Sequence, residues 1–594
     1  MYKKTVSGIM LTLLLVGLFS LAINVKPAKS TWTGTAYIRA DGSIDPPDAP
    51  IQRDGNVYTL TGNITSSGDG IVVERDNIII DGAGYTLEGT GAYGSKGIDL
   101  SGRTNVTVQN TQIKNFYDGI KLSSSNNNSI VGNKIVANYW DGIWLEYSSN
   151  NSIVGNNITA NKYAGIRLYY SSNNSISGNT FIKDGLVVWD SYHNSVENNT
   201  VNGKPLVYLE GVVDHKVGDA GQVILVNCTG IRVEDLNLSN TDIGVELCET
   251  TNSVISRNTI TANDWNGIWL EYSSNNSISG NNITNNGDGI RLDSSSNNSI
   301  VGNNITANKY AGIYLVLSSN NSICKNNIRA NHWYGIELYF SSNNSIVGNN
   351  LANNWHGIRL DSSSNNIIYH NNFVNNSQQV VSSASTNVWD NGYPSGGNYW
   401  GDYNGIDLYS GVYQNEPGSD GIGDTPYVID ENNIDHYPLM NPYTIPPPAP
   451  LVINATVDIN PRALNLRSRG KWITGYIELP EGYDVADINV SSILLNDTVP
   501  AELRPVAIGD YDGDGVLDLM VKFDRTSVIS YVLANVNKTK LFEERFMRVA
   551  LIITGYLIDG THFQGTTTIR VLMPIPFFVS KIWRFCRTLQ IFPI

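Results

Sequence analysis

The stretch Gly142–Ala164, GIWLEYSSNNSIVGNNITANKYA, returns almost unchanged from Gly267 as GIWLEYSSNNSISGNNITNNGD. Looser copies flank both, opened by Gly97, Gly119 and Gly165 and then by Gly244, Gly289, Gly312, Gly335 and Gly357, at steps of 22 or 23 residues nearly throughout. A fixed period of that size confines the chain to a solenoid. Apolar residues fall in short alternating pairs (Ile143/Leu145, then Ile153, then Ile158), the period of a strand, and no helical i, i+3, i+4, i+7 run fits between Ser148 and Asn161. β-Branched Ile and Val dominate the apolar positions, and Asn, Ser and Gly fill the corners where left-handed or tight backbone is needed.

One unit is therefore three short strands joined by three turns. The expectation is an all-β, right-handed parallel β-helix of about 22–23 residues per coil, followed by a small β-sandwich. Leucine-rich repeats share the length, but their LxxLxLxxN line is absent. About fourteen coils stacked at strand spacing give a rod of about 65 Å. In-register stacking also explains the paired asparagines Asn156/Asn157, Asn281/Asn282, Asn303/Asn304 and Asn326/Asn327, which read as polar ladders at equivalent corners.

Along the chain, Met1–Ser30 carries Lys3 and Lys4, an apolar run from Ile9 to Ile23 and small residues at Ala28-Lys29-Ser30, the pattern of a secretory signal peptide. Removing it takes four lysines and no acid from a chain of formal charge −15, leaving about −19, a surface that repels nucleic acid and anionic lipid. The expected place is secreted, at the cell surface, or periplasmic in a two-membrane cell. Residues 31–110 read as an N-terminal cap with the first irregular coils, 111–384 as the β-helix and 385–443 as a second cap or flap. Residues 444–450 are a Pro-rich linker and 451–572, with alternating strands such as Ile473–Leu479 and Val549–Gly555, the sandwich. Leu186–Ile243 breaks the glycine spacing and reads as a coil with an outward loop around Val213–Gly221. The tail Met573–Ile594 is apolar, but Lys581, Arg584 and Arg587 make it too charged and too short for a membrane span. Four cysteines are too few for a disulfide scaffold.

The repeat GIxLxxSSNNSIxxNNI, the loop GKPLVYLEGVVDHKVGDAGQVILVNC (Gly203–Cys228) and the cap DNGYPSGGNYW…DGIGDTPYVID resemble the NosD-like proteins over about Gly97–Met440. The resemblance implies membership of the wider group of carbohydrate-binding proteins and sugar hydrolases built on right-handed β-helices. NosD itself is associated with maturing a periplasmic copper enzyme. Copper would need clustered His, Met or Cys, and His332, His356 and His370 fall at different phases of their coils.

In each GIxL strand Ile and Leu point inward, so the residue between and the one after Leu point outward. That places Trp144, Arg167, Tyr169, Trp189, Trp269, Glu271, Arg291, Asp293, Tyr314 and Arg359 on one face. Aromatic faces beside charged groups suit sugar rings and their hydroxyls or uronates, so the expected partner is a polysaccharide or cell-surface glycan, bound without turnover. An enzyme alternative, a lyase, epimerase or hydrolase on uronate polymers, would draw on Asp141, Glu146 and Arg167. A surface or adhesion rod is the structural alternative. In the sandwich, Asp510, Asp512, Asp514 and Asp518 stand at positions 1, 3, 5 and 9 of a loop with Gly515 at position 6, matching a calcium loop whose twelfth position is Val521. Asp420 and Asp424 are a second, weaker candidate.

Overall fold

The computed structural model describes residues 31–444 and 452–573, apart from 481–482, 537–540, 542–543, 545 and 559–560. The signal-peptide, tail and most of the linker assignments lie outside the described residues. The chain divides into two compact units, one reaching to Ile445 and one starting at Pro446.

The first unit is a parallel β-solenoid of about fifteen turns. The GIxL strands stack in register, with Ile120, Ile143 and Ile166 aligned in one column and Ile268, Ile290, Ile313, Ile336 and Ile358 in another. All these isoleucines are fully buried. The glycine before them is required by crowding: a Cβ at Gly142 would lie 2.5 Å from the Gly165 carbonyl oxygen, and one at Gly267 2.6 Å from that of Gly289. In the pairs Asn156/Asn157, Asn281/Asn282, Asn303/Asn304 and Asn326/Asn327 only the first asparagine is buried. Asn156 Nδ2 donates to Asn179 Oδ1 at 2.9 Å and to the Ile130 carbonyl at 2.9 Å, while its Oδ1 accepts from the Asn133 backbone N–H at 2.9 Å. The same pattern runs Asn258, Asn281, Asn303, Asn326, Asn349. Each buried amide is thus satisfied along the stack, as the low-dielectric interior demands. The second asparagines pair outside, Asn304 to Asn282 and Asn327 to Asn304, both at 2.8 Å.

The stack is not one rod. After Leu186–Trp189 the next backbone is missing from its sheet edge, and side chains take its place. Leu186 N–H donates to Gln222 Oε1 (3.0 Å), its carbonyl accepts from Gln222 Nε2 (2.7 Å), and Val188 N–H donates to Glu246 Oε1 (3.0 Å). Asp242 Oδ2 accepts the N–H groups of both Gly165 and Gly185 at 2.9 Å. Meanwhile Thr200–Val201 turns back antiparallel to Lys204–Pro205, and Leu206–Glu210 runs parallel to Gln222–Val226. The third-face sheet of the first half-solenoid thereby becomes the GIxL sheet of the second. Val213 and Lys216 bridge Thr229 and Arg232, so this segment is the first coil of the second half, with Val217 and Ala220 buried. This corrects the reading of Val213–Gly221 as an outward loop. The outer face of strands 222–226 and 245–248 lies against the end of the first half, which gains Ile224, Val226 and Cys248 in its core. Cys228 points into the second half, and both cysteines are free.

The far end is closed by residues 385–443. Trp400 stacks between Phe373 (4.3 Å) and Tyr427 (4.1 Å) and donates Nε1–H to Asp435 Oδ2 (2.8 Å), while Trp389 donates to Asn433 Oδ1 (3.0 Å). Rings in this cap cover the apolar core of the last coil, which would otherwise be bare.

The second unit is β-rich, with Trp472–Glu478, Val499–Gly509, Asp518–Asp524, Phe546–Tyr556 and His562–Leu572 as its main strands. Residues from all of them share one core, including Ile477, Val521, Phe523, Ile553 and Phe563. It also holds a helix, Arg525–Asn535, capped by Asp524 accepting from Ser527 N–H. Among the described residues no helix is long and apolar enough to cross a membrane.

Candidate functional site: an elbow groove

Where the first half-solenoid abuts the second, the two enclose a groove of about 880 Å³. Its floor is the outer face of the GIxL sheet from Asn266 to Glu337, bearing Trp269, Asp288, Arg291, Tyr314 and Glu337. Its wall is the flank of the first half, with Trp140, Lys162, Tyr163 and Trp189. The wall is an aromatic ladder: Trp140 stacks on Tyr163 at 3.8 Å, Tyr163 meets Trp265 of the second half edge-on at 3.8 Å, and Trp189 meets Trp269 edge-on at 5.4 Å. Trp269 Nε1–H donates to Asp293 Oδ2 at 2.6 Å, and Arg291 Nε donates to the same oxygen at 2.7 Å. The indole and guanidinium are fixed by one carboxylate.

Three carboxyl groups reach the groove with raised pKa. Burial pushes Asp288 up to about 6, and its Oδ1 accepts the Ala311 N–H at 2.8 Å. Burial likewise pushes Glu337 up to about 7, against the opposing guanidinium of Arg359 at 3.1 Å. Asp264 is also raised by burial, with Lys309 opposing at 3.7 Å.

Of the residues expected on the ligand face, Trp189, Trp269, Arg291 and Tyr314 line the groove, and Asp293 anchors two of them. Arg359 lies just beyond, held by Glu337 and by the Tyr334 hydroxyl at 3.0 Å. Glu271 is not available to a ligand: it is buried and pushed up to about 8, because the first half-solenoid covers that end of the sheet. Trp144 and Tyr169 lie outside the groove. Trp144 is sandwiched between Lys121 Nζ (3.5 Å) and the Arg167 guanidinium (4.2 Å), and Tyr169 packs edge-on against Trp189 at 5.5 Å. Asp141, Glu146 and Arg167 do not form an accessible catalytic set. Asp141 is 0% exposed and gripped by Arg167 through Nε (2.9 Å) and a terminal nitrogen (2.6 Å), and Glu146 faces Lys121 at 3.4 Å. Arg167 instead supports the wall, 5.1 Å from the Tyr163 ring.

Sequence reasoning overlooked the aromatic two places before the repeat glycine. Trp140, Tyr163, Trp265, Tyr310, Trp333 and Trp355 share that position, and all but Trp355 line the groove. Their shared phase was a readable signal.

In the second unit, carboxylate oxygens of Asp510, Asp512 and Asp518 lie within 4.8 Å of one another, as do those of Glu478, Asp512 and Asp514. Glu478 stands directly across the sheet from Asp518. Partial burial and the neighbouring carboxylates hold both Glu478 and Asp518 above the usual carboxylate range. An all-oxygen donor set with excess negative charge fits a hard divalent cation. Asp420 and Asp424 form no such group among the described residues. Asp424 instead accepts the Leu408 and Tyr409 N–H groups.

No curated protein matches the sequence. Among solved structures, the chain is similar to the periplasmic alginate epimerase AlgG (16% identity, TM-score 0.23, covering 59% of this chain and 85% of that one). It is also similar to the A-module of the Azotobacter vinelandii mannuronan C-5 epimerase AlgE6 (12%, 0.24, 61% and 89%) and to the catalytic domain of a GH87 α-1,3-glucanase in complex with nigerose (14%, 0.23, 63% and 64%). The family description "Right handed beta helix region" matches residues 51–201, 221–374 and 319–416. With more than half of its length so matched and parallel three-strand coils through most of the match, the chain belongs to the right-handed β-helix family.

Proposed function

We propose that the protein binds polysaccharide outside the cytoplasm, as a secreted, cell-surface or periplasmic protein, and that the elbow groove is its binding site. The observation that carries this is the groove's lining: indole and phenol rings interleaved with Lys162, Arg291 and Lys309 and with three carboxyl groups. Rings supply apolar contact to sugar faces, and the charged groups supply directional hydrogen bonds to hydroxyls or uronates. The role is recognition without turnover. The NosD-like motifs are read here as structural, since Gly203–Cys228 builds the elbow and the aromatic motif builds the cap. Calcium at Asp510, Asp512, Asp514, Asp518 and Glu478 serves the second unit as a structural ion.

A second reading, cleavage of the bound chain, is favoured by the raised Asp288 and Glu337, since a carboxyl protonated near neutrality serves as a general acid. One experiment separates the two. The protein is incubated with alginate, homogalacturonan, xylan and mixed-linkage β-glucan, and both co-sedimentation and new reducing or unsaturated ends are measured. Retention without new ends is the expected result. New ends that vanish in Asp288→Asn would replace binding by catalysis, and no retention on any polymer would remove the carbohydrate reading.

A further inference from the structure

The floor sheet is not free along its whole length. Its first strands carry Leu206, Ile224, Val226 and Cys248 into the core of the first half-solenoid, and Glu246 is fully buried at the same junction. The covered stretch ends at Asn266–Glu271, where Trp269 is only 2% exposed against Trp189. Beyond it the face is open. Tyr310, Trp333 and Trp355 hold the same place in consecutive coils and are 56%, 46% and 56% exposed. In the first half, the rings at this position lie face to face, Tyr117 on Trp140 at 5.5 Å and Trp140 on Tyr163 at 3.8 Å. Among the described residues none of Tyr310, Trp333 and Trp355 stacks on another; Trp333 instead meets His332 and Tyr334, and Trp355 meets His356. A linear ligand following these rings across the strands advances about 4.8 Å per coil, and toward the elbow the row meets Trp265, which packs edge-on against Tyr163 of the first half at 3.8 Å beside the Trp189–Trp269 pair.

We infer that the groove is blind and captures the terminus of a glycan chain, with the end sugar seated against Trp189 and Trp265 and the following sugars leading out along Tyr310, Trp333 and Trp355. This rests on the polysaccharide reading above and adds to it the part of the polymer that is recognised. A chain held by its middle would need a path past Trp269, and the first half-solenoid occupies that path. The closed end is rigid, since the Trp269 indole and the Arg291 guanidinium share the Asp293 carboxylate. Lys162, Asp264 and Asn266 supply polar groups there, and a terminal sugar offers a free hydroxyl that an internal one spends on its linkage.

The test uses the full-length protein with hexasaccharides of alginate, homogalacturonan, xylan and β-glucan and with the parent polymers at equal sugar mass, read by titration calorimetry. The expected result is affinity that is constant per chain end, so that protein bound per gram falls in inverse proportion to chain length. Reducing the hemiacetal end to an alditol and, separately, capping the opposite terminal hydroxyl distinguishes which end enters: one modification weakens binding at least tenfold and the other does not. Protein bound per gram that is independent of chain length, or affinity untouched by either modification, would overturn the blind end while leaving polysaccharide binding in place. No binding to any probe would overturn the polysaccharide reading and this inference with it.

Discussion

Asp141 and Asp288 hold the same place in their coils and stand in opposite circumstances. Over Asp141 the next coil sets Arg167, which grips it; over Asp288 the next coil sets Ala311 and Tyr314, and no guanidinium arrives. Burial raises both, Asp141 to about 8 and Asp288 to about 6, but only Asp288 lines the groove, beside Glu337, which burial raises to about 7. An acid whose folded pKa is raised contributes stability that is complete below its unfolded value and is lost as pH rises through the folded one. The melting temperature should thus fall between about pH 4 and pH 7, and Asp288→Asn with Glu337→Gln should reduce that fall in a scanning-calorimetry series, the remainder coming from other buried acids such as Asp118 and Asp435. The rings make a second contrast. Trp333→Ala should weaken polysaccharide binding about tenfold, or about 1.4 kcal/mol, with no change in melting temperature. Trp144→Ala, whose ring is packed between Lys121 and Arg167 outside the groove, should leave affinity unchanged in the same titration.

At the scale of the coil, crowding and polar satisfaction do the specifying. Gly267→Ala drives a methyl group into the Gly289 carbonyl and should cost about 1–3 kcal/mol in denaturant unfolding. Asn303→Ala strips the Asn281 backbone N–H and the Ile278 carbonyl of their partner. Each orphaned buried group costs about 1–3 kcal/mol. Asn304→Ala, one residue on and at the surface, should cost under about 1 kcal/mol, and chevron or equilibrium unfolding of the pair tests the difference. Coils of this kind are legible from sequence because Ile143, Leu145, Ile153 and Ile158 announce a strand period and the glycine marks where successive coils press together. The elbow was not, since nothing in Gln222, Asp242 or Glu246 signals that a side chain will take the place of a neighbouring backbone. That hidden substitution is why Glu271 was expected outside and lies inside, and why one wall of the groove comes from Trp140, Tyr163 and Trp189, far from the floor in sequence.

At the scale of the whole chain, two units with separate cores predict two unfolding transitions. Only the transition of the second unit should rise with calcium, by about 2.7 kcal/mol at a hundredfold excess over Kd. Asp512→Ala should abolish the rise, because Asp512 belongs to both carboxylate trios. The DxDxDG spacing made four of these carboxylates visible in advance, whereas Glu478 is brought to them only by strand pairing. The regular coils beyond the wall have one more consequence. Their corners are interchangeable, each asparagine taking the hand of the next, so a 23-residue block could be added or removed between the elbow and the cap without disturbing either. Such a change would move the outer end of the Tyr310–Trp355 row by one ring and leave its closed end where it is. On the proposed binding mode the second half-solenoid would work as a ruler: repeat number would set how much of a polymer is measured, and the break in the stack would set zero.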